Sequence, residues 1–251
     1  LNNVKQTSTT TTFRYNPNTA GTYNVYFKVI DNESGKSVNS AIRKLYAYHP
    51  LNTPNVSASK AHIERGTTTT FTASNIGGGS GSRRYEWYVN NVKQSATGTS
   101  YSYHFPNAGT YTVKFKVVDL TMQNANAKWG ANSPVLKVYH KMVVSTSQSA
   151  TSVSGSSASV RFNVTGISGG SGSRQITWRV FKSVSPSQTA GSGTGTQFYF
   201  SNFATGTHEY NITATVKDNL TGKQVTRLMV VIGSISSGGG DGDCQNCGPQ
   251  H

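Results

Sequence analysis

An internal repeat with a period of about 90 residues constrains the fold of this chain more than any other feature. Residues 2–6 return as residues 90–94, with all five identical at an offset of 88. At the same offset, nine of twelve residues match between 20–31 and 108–119. Because no insertion separates the two matches, the chain builds one structural unit more than once.

A third copy of the unit follows further along the chain. The run Gly-Gly-Ser-Gly-Ser-Arg at residues 78–83 returns at 169–174, and Trp87 returns as Trp178 at the same offset of 91. The offset then grows to 99. We expect the extra residues in two turn-rich segments, 185–196 and the neighbourhood of Thr205-Gly206, because insertions concentrate in loops.

The repeats divide the chain into four predicted segments. These are a partial unit at 1–50, complete units at 51–140 and 141–233, and a glycine-rich tail at 234–251. Leu1 aligns with Val89, so we expect the first unit to hold only the second half of the repeat.

Such a half-unit would leave one apolar face of its strands exposed, because it lacks the strands that pack on that face in a complete unit. The side chains expected on this face are Tyr15, Tyr23, Val25, Phe27 and Val29. Two interpretations stay open. Either the chain is a fragment of a longer repeat protein, or a neighbouring subunit completes the half-domain by donating a strand.

The alternation of apolar and polar residues predicts short strands. Apolar side chains at 111, 113, 115 and 117 alternate with others along Thr110–Asp119, as in a strand with one buried face. Further strands are expected at 14–15, 67–73, 84–89, 101–105 and 135–139. With turns every 8–12 residues, about seven strands per unit predict an all-β chain of tandem β-sandwiches. The 32 Ser and 31 Thr, a quarter of the chain, do not favour a helical bundle.

The inward positions of the three units form the predicted core. They are Tyr23, Val25, Phe27, Trp87, Tyr111, Val113, Phe115, Trp178 and Tyr210.

The segment Tyr103–Asp119 resembles a PKD or Ig-like repeat, and the Gly/Ser-rich turn before Trp87 is similar to one in that family. The resemblance covers nearly the whole chain outside the tail, although Asn90-Asn91 stands where the family has a Gly-Asp-Gly turn. It implies tandem PKD-like or Ig-like domains of a prokaryotic, in particular archaeal, cell-surface protein or extracellular fibre. Such domains serve as spacers, adhesion modules or building blocks.

The net charge of +14 limits the partners of the chain. The three units carry +4, +6 and +6, and the tail carries −2. Because no run of five Lys or Arg and no groove-reading motif is present, we expect no nucleic-acid partner. The charge fits either a solvated surface or a polyanion such as an acidic glycan, with Arg83, Arg84 and Tyr88 as candidate contacts. The sequence has no run of eighteen apolar residues, so it predicts no membrane-spanning helix.

Catalytic chemistry has little support in the sequence. Asp31, Asp119 and Asp218 occupy one repeat position at the end of a strand, where an acid usually serves a turn or a cap. His49 and His140 each end a unit and are expected in interdomain packing. There is neither a nucleophile elbow nor a phosphate loop. We therefore predict no catalytic residue, no metal site, no cofactor and no enzymatic activity.

Two further sets of residues are candidates for modification. The acceptor pattern Asn-x-Ser/Thr occurs at Asn32, Asn55, Asn163, Asn211 and Asn219, a number that chance alone explains. The only cysteines, Cys244 and Cys247, lie in the tail as C-x-x-C. They would form a disulfide or lie in an inert flexible tail, or they would link the chain to another subunit or to the surface. A metal site is a further alternative, although the tail offers too few other ligands for one.

The sequence thus favours a non-enzymatic, extracellular or cell-surface structural protein that associates with itself into a filament or lattice. The alternatives are a glycan- or polyanion-binding adhesion module and the accessory region of a larger secreted hydrolase.

Overall fold

The computed structural model describes residues 2, 4–6, 11–122 and 126–236 of the chain. All regular elements in this part are β-strands, as the sequence predicts. The chain divides into two compact units. Within the described residues, the first comprises 2–61, 68–104 and 110–136, and the second comprises 62–67, 105–109 and 137–236.

The strands follow one another in this order. The first group is β1 (Gly21–Val25), β2 (Lys28–Ile30), β3 (Ser37–Asn39), β4 (Arg43–Ala47), β5 (Asn55–Ala58), β6 (His62–Glu64), β7 (Thr67–Ser74), β8 (Arg83–Val89), β9 (Val92–Lys93) and β10 (Ser100–Phe105). The remainder are β11 (Gly109–Asp119), β12 (Ala127–Trp129), β13 (Val135–Tyr139), β14 (Val143–Gln148), β15 (Ser152–Ser154), β16 (Val160–Ser168), β17 (Arg174–Lys182), β18 (Ser185–Thr194), β19 (Gln197–Phe200), β20 (Gly206–Asp218) and β21 (Gln224–Ile235).

The second unit shows the sandwich most completely. One sheet has the order β14-β16-β19 and the other has the order β15-β21-β20-β17-β18. In the first unit, β8 pairs antiparallel with both β9 and β11, and β12 pairs with β11. A second sheet has the order β10-β7-β5, while β1 pairs with β4 and β2 pairs with β3. These paired sheets confirm an all-β chain of tandem Ig-like β-sandwich domains.

A tryptophan on β8 and another on β17 anchor the two cores. Trp87 is fully buried, lies opposite Phe115 in the strand register, and has its ring centroid 4.7 Å from that of Phe115. Its indole Nε1 donates a hydrogen bond to Gly98 O at 2.8 Å. Trp178 is buried in the same way, with Nε1 donating to Gly195 O at 2.8 Å. Each indole is therefore both packed and hydrogen-bonded, as a buried tryptophan requires.

The other predicted core residues differ in burial. Val113, Phe115 and Tyr210 are fully buried, and Tyr111 is half-buried. In the first repeat, Tyr23 and Val25 are only half-buried. Phe27 is not a core residue, because 53% of its side-chain surface is exposed. The physical reason is that no strand in the described part of the chain pairs beside Phe27. In the second repeat, β8 places Trp87 beside Phe115.

Two strand predictions were wrong. Segment 14–15 is not in a strand. The insertion at 185–196, expected as a loop, forms β18 and pairs with β17. Glycines explain the second difference, because a Cβ on Gly193 would lie 2.6 Å from Cδ2 of Phe198. The bare backbone of β18 can therefore pass beneath the aromatic ring.

Replacement of the central tryptophan should unfold the first unit. We expect Trp87→Ala to lower the free energy of unfolding by about 3–5 kcal/mol, because it leaves a large cavity and an unpaired carbonyl at Gly98. The matched control is Trp129→Ala, since that indole is 46% exposed. Thermal melting of both variants tests the expectation, and equal melting temperatures for Trp87→Ala and the wild type would contradict it.

Candidate functional site

A buried aspartate closes the end of the central strand in the second repeat. Asp119 is fully buried and is the last residue of β11. Its carboxylate accepts hydrogen bonds from Ser80 N at 2.5 Å and Ser80 Oγ at 2.7 Å. It also accepts from the backbone N–H groups of Thr121 at 2.9 Å and Met122 at 3.3 Å. We call this arrangement the aspartate cap.

Two glycines bring the serine loop up to the carboxylate. Gly78 and Gly79 both have positive φ, at 69° and 65°. A Cβ on Gly79 would lie 2.3 Å from Oδ2 of Asp119, and one on Gly78 would lie 1.9 Å from Pro50 O. The N–H of Gly79 also donates to His49 O at 2.8 Å. Only glycine fits at both positions, since any side chain would strike the carboxylate or the preceding linker.

The third repeat builds the same cap from equivalent residues. Asp218 is fully buried and accepts from Ser171 N and from Ser171 Oγ, the latter at 2.8 Å. The turn N–H groups of Leu220 and Thr221 donate to it at 3.0 and 2.9 Å. Gly170 N donates to His140 O at 2.9 Å, so this loop also holds the linker that precedes it.

The first repeat has only half of a cap. Asp31 accepts from the turn N–H groups of Glu33 and Ser34, at 2.9 and 3.1 Å. Within the described residues, no Gly-Gly-Ser loop lies against this carboxylate, and Asp31 is exposed. The acceptor positions that Ser80 and Ser171 fill in the other repeats are therefore open to solvent.

The segment that leads to Asp31, made of β1, β2 and the link between them, exposes apolar side chains. Phe27 and Val29 are 53% and 56% exposed, whereas their equivalents Phe115 and Val117 are 0% and 1% exposed. We call the face formed by Tyr23, Val25, Phe27 and Val29 the open face. A cleft of about 680 Å³ borders it, lined by apolar and basic side chains that include Phe13, Val25, Phe27, Ile30, Lys28 and Arg43.

The remaining predicted sites fall at separate places in the structure. Among the described residues, no group of three His, Cys, Asp or Glu side chains could hold a metal ion. Asn32, Asn55 and Asn219 are exposed, whereas Asn163 and Asn211 are half-buried within β16 and β20. Glycosylation at these five positions stays a prediction. Cys244 and Cys247 lie outside the described residues.

The three candidate glycan contacts do not all lie on one face of β8. The guanidinium of Arg83 turns inward and donates to Gly78 O. Arg84 and Tyr88 instead lie on the solvent side of β8, where both contact Glu86. Sequence reasoning missed Glu86 and Trp129, because only the strand register brings them to this face.

Within the described part of the chain, no helix has the length and apolar character that crossing a lipid bilayer requires.

Comparisons with known proteins find similarity at the level of structure. No protein-family model matches the chain, and no curated protein matches it. The fibronectin(III)-like modules of Clostridium thermocellum CbhA share 13% identity at a TM-score of 0.41, covering 72% of this chain and 94% of that one.

Two further solved structures show similar values. Three N-terminal domains of the bacteriophage RB49 Highly Immunogenic Outer Capsid protein share 15% identity at a TM-score of 0.48, covering 86% of this chain and 78% of that one. The FN1–FN3 domains of chicken CNTN1 share 13% identity at a TM-score of 0.39, covering 85% and 77%.

The cap should make stability depend on pH. Burial alone would raise the pKa of Asp218, but hydrogen bonds, first from the backbone N–H groups of Thr221 and Ser171, lower it from 3.8 to about 2. Because the pKa is lower in the folded state, the carboxylate stabilises the fold above about pH 4, and this contribution is lost as the pH falls towards 2. Replacing the carboxylate by Asp218→Asn should cost about 1.5–3 kcal/mol at pH 6 and progressively less towards pH 2.

Thermal melting of the full chain from pH 2 to pH 6 measures this difference. The matched control is Asp31→Asn, at the exposed half-cap, which should change the melting temperature much less at every pH. A pH-independent effect of Asp218→Asn would show that the carboxylate charge is not what stabilises the cap.

Proposed function

We propose that this protein is a non-enzymatic, extracellular structural protein, a subunit of a surface filament or surface layer. Stacked β-sandwich modules form its body. A segment of a neighbouring subunit completes the half-built first repeat. The observation that carries the proposal is the open face, which ends at a half-satisfied Asp31.

Burial of the open face by another segment would stabilise the first repeat. Its Phe27 and Val29 occupy positions that are fully buried in the second repeat, and Leu45 is 39% exposed where the equivalent Leu136 is buried. Burial of apolar surface contributes about 25 cal/mol per Å². Exposed apolar patches on a strand surface are sites of association between chains.

Backbone pairing supports the same proposal. In the described part of the chain, β1 pairs with β4 alone, whereas its counterpart β20 lies between β17 and β21. On the other edge of β1, Asn2 bonds both the N–H and the C=O of Asn24, so an added strand would pair beyond this contact or replace it.

The other two repeats define what the covering segment must contain. It needs a Gly-Gly-Ser loop to donate the two hydrogen bonds that Asp31 lacks, as Ser80 donates to Asp119. It also needs a strand that places a large apolar side chain against Phe27, as β8 places Trp87 against Phe115. The segment is thus a first half of the same repeat. Both such halves in the described residues already pack in their own sandwiches, so we propose that another subunit supplies it by exchanging one of them.

The extracellular and non-enzymatic parts of the proposal are supported by tandem modular organisation and by composition. A chain of rigid sandwiches rich in Ser and Thr suits a spacer or a fibre better than a catalyst.

Assembly of the full chain tests the proposal. We expect the wild type to form linear assemblies with rising concentration, seen by sedimentation velocity and negative-stain electron microscopy. Phe27→Asp should leave it monomeric, since it puts a charge on the open face. The matched control is Val184→Asp, because Val184 is 82% exposed in the second unit.

A synthetic peptide with the sequence of residues 74–94 should bind the wild type and suppress its assembly. The same peptide with Ser80→Ala and Trp87→Ala should bind about tenfold more weakly or worse, because it lacks both determinants. A chain that stays monomeric at every concentration, or assemblies that Phe27→Asp leaves intact, would overturn the proposal.

A further inference from the structure

One sheet surface of the first unit combines basic and aromatic side chains. The strand register sets Lys114 beside Tyr88, and Lys116 between Glu86 and Trp129. Since alternate residues of a strand share a face, these side chains project on one side of the sheet formed by β12, β11, β8 and β9. We call it the basic-aromatic face, and its members are Arg84, Glu86, Tyr88, Lys93, Lys114, Lys116 and Trp129.

The positive charge of this face is only partly compensated. Glu86 is its one acid, and its carboxylate lies 3.1 Å from Arg84 Nε, 2.7 Å from Lys93 Nζ and 4.0 Å from Lys116 Nζ. Lys114 Nζ donates to a neutral partner, Asn91 Oδ1, at 2.9 Å. One carboxylate therefore faces four cations, and the surface presents a net charge of about +3 to solvent.

Glu86 also arranges the cations. Its side chain is only 4% exposed, whereas those of Arg84 and Lys93 are 48% and 55% exposed. The hydroxyl of Tyr88 donates to its second oxygen at 2.7 Å. The buried carboxylate thus positions the charged groups of Arg84 and Lys93, while about half of each of these two side chains stays exposed.

The indole of Trp129 completes the face. It is 46% exposed, with the Tyr88 ring centroid 4.9 Å away at an angle of 55° and Lys116 Nζ 5.4 Å from its centroid. Its neighbours restrict its orientation, so part of a fixed aromatic surface is available to a ligand.

The third repeat shows that the fold does not require this face. Positions 86, 114 and 116 align with Thr177, Thr213 and Thr215, which are neutral. There, Thr215 Oγ1 forms a hydrogen bond of 3.1 Å with Thr226 Oγ1 in place of a cation and a tryptophan. The third repeat therefore builds the same sandwich with neutral residues at these three positions. The first repeat keeps two of the cations, as Lys5 and Lys28, but the combination of four cations with an exposed tryptophan occurs only in the second repeat and points to a binding role.

We propose that the basic-aromatic face binds an acidic polysaccharide that carries carboxylates. The Trp129 ring packs against the C–H surface of a sugar, and Arg84, Lys93, Lys114 and Lys116 bind the carboxylates of neighbouring residues. The backbone positions that carry these cations are about 5 Å apart on neighbouring strands and about 7 Å apart at alternate residues of one strand. This spread of charge along an open sheet suits an extended polyanion rather than a single small anion.

The test uses the full chain with polygalacturonate, measured by isothermal titration calorimetry at low and physiological salt. Dextran serves as the neutral polysaccharide, and duplex DNA and polyglutamate serve as the other polyanions. We expect polygalacturonate to bind and dextran not to, with weaker binding as salt screens the cations. Equal affinity for DNA or polyglutamate would overturn the assignment to a polysaccharide, and so would no binding of polygalacturonate.

Matched variants separate this face from the general positive charge. Trp129→Ala and Lys116→Ala should each weaken binding about tenfold, the loss expected for a central contact. The controls are Tyr199→Ala, whose ring is 59% exposed, and Lys223→Ala, an exposed cation, both in the second unit. Equal losses in the controls would overturn the proposal.

Binding at this face does not depend on subunit assembly. Phe27→Asp should retain the full affinity for polygalacturonate, so failure of either proposal leaves the other intact.

Discussion

A buried carboxylate at the end of the central strand organises each complete repeat. Asp119 and Asp218 each accept hydrogen bonds from a Gly-Gly-Ser loop and from the turn that follows their own strand. Leaving such an acid buried without donors would cost more than any one packing contact supplies. The loop can approach only because it has glycines at the two positions where a Cβ would collide.

The first repeat shows which properties of a strand its own sequence determines when no described segment packs against it. Residues 20–31 match 108–119 at nine of twelve positions. The two strands nevertheless differ in burial, from Phe115 with no exposure to Phe27 with 53%. The longer strand β11 corresponds here to two short strands, β1 and β2. Local sequence thus sets the direction and pairing of a strand, while burial depends on the segment that packs across it.

The predictable part of the structure follows from alternation and repetition. Strand β11, the two tryptophans and the aspartates at strand ends can all be identified by aligning the copies. Strand β18 could not be predicted in this way, because Ser, Gly and Thr give it the composition of a loop, and the Phe198 ring that packs on it lies outside the segment. The basic-aromatic face was missed for a related reason. Trp129 and Glu86 are 43 positions apart, and the register of Lys116 alone makes them neighbours.

The capture of the linker by the glycine loop has a consequence for how such arrays evolve. Gly79 binds the carbonyl of His49, and Gly170 binds the carbonyl of His140. Each copy therefore carries the donor N–H that binds the segment before it, and for this contact it needs only a backbone carbonyl from the preceding copy. A duplication or deletion with its breakpoints at these two histidines would add or remove a whole module and keep these glycine contacts, since they use backbone atoms alone. The number of modules can therefore change by recombination while each glycine loop still meets a carbonyl.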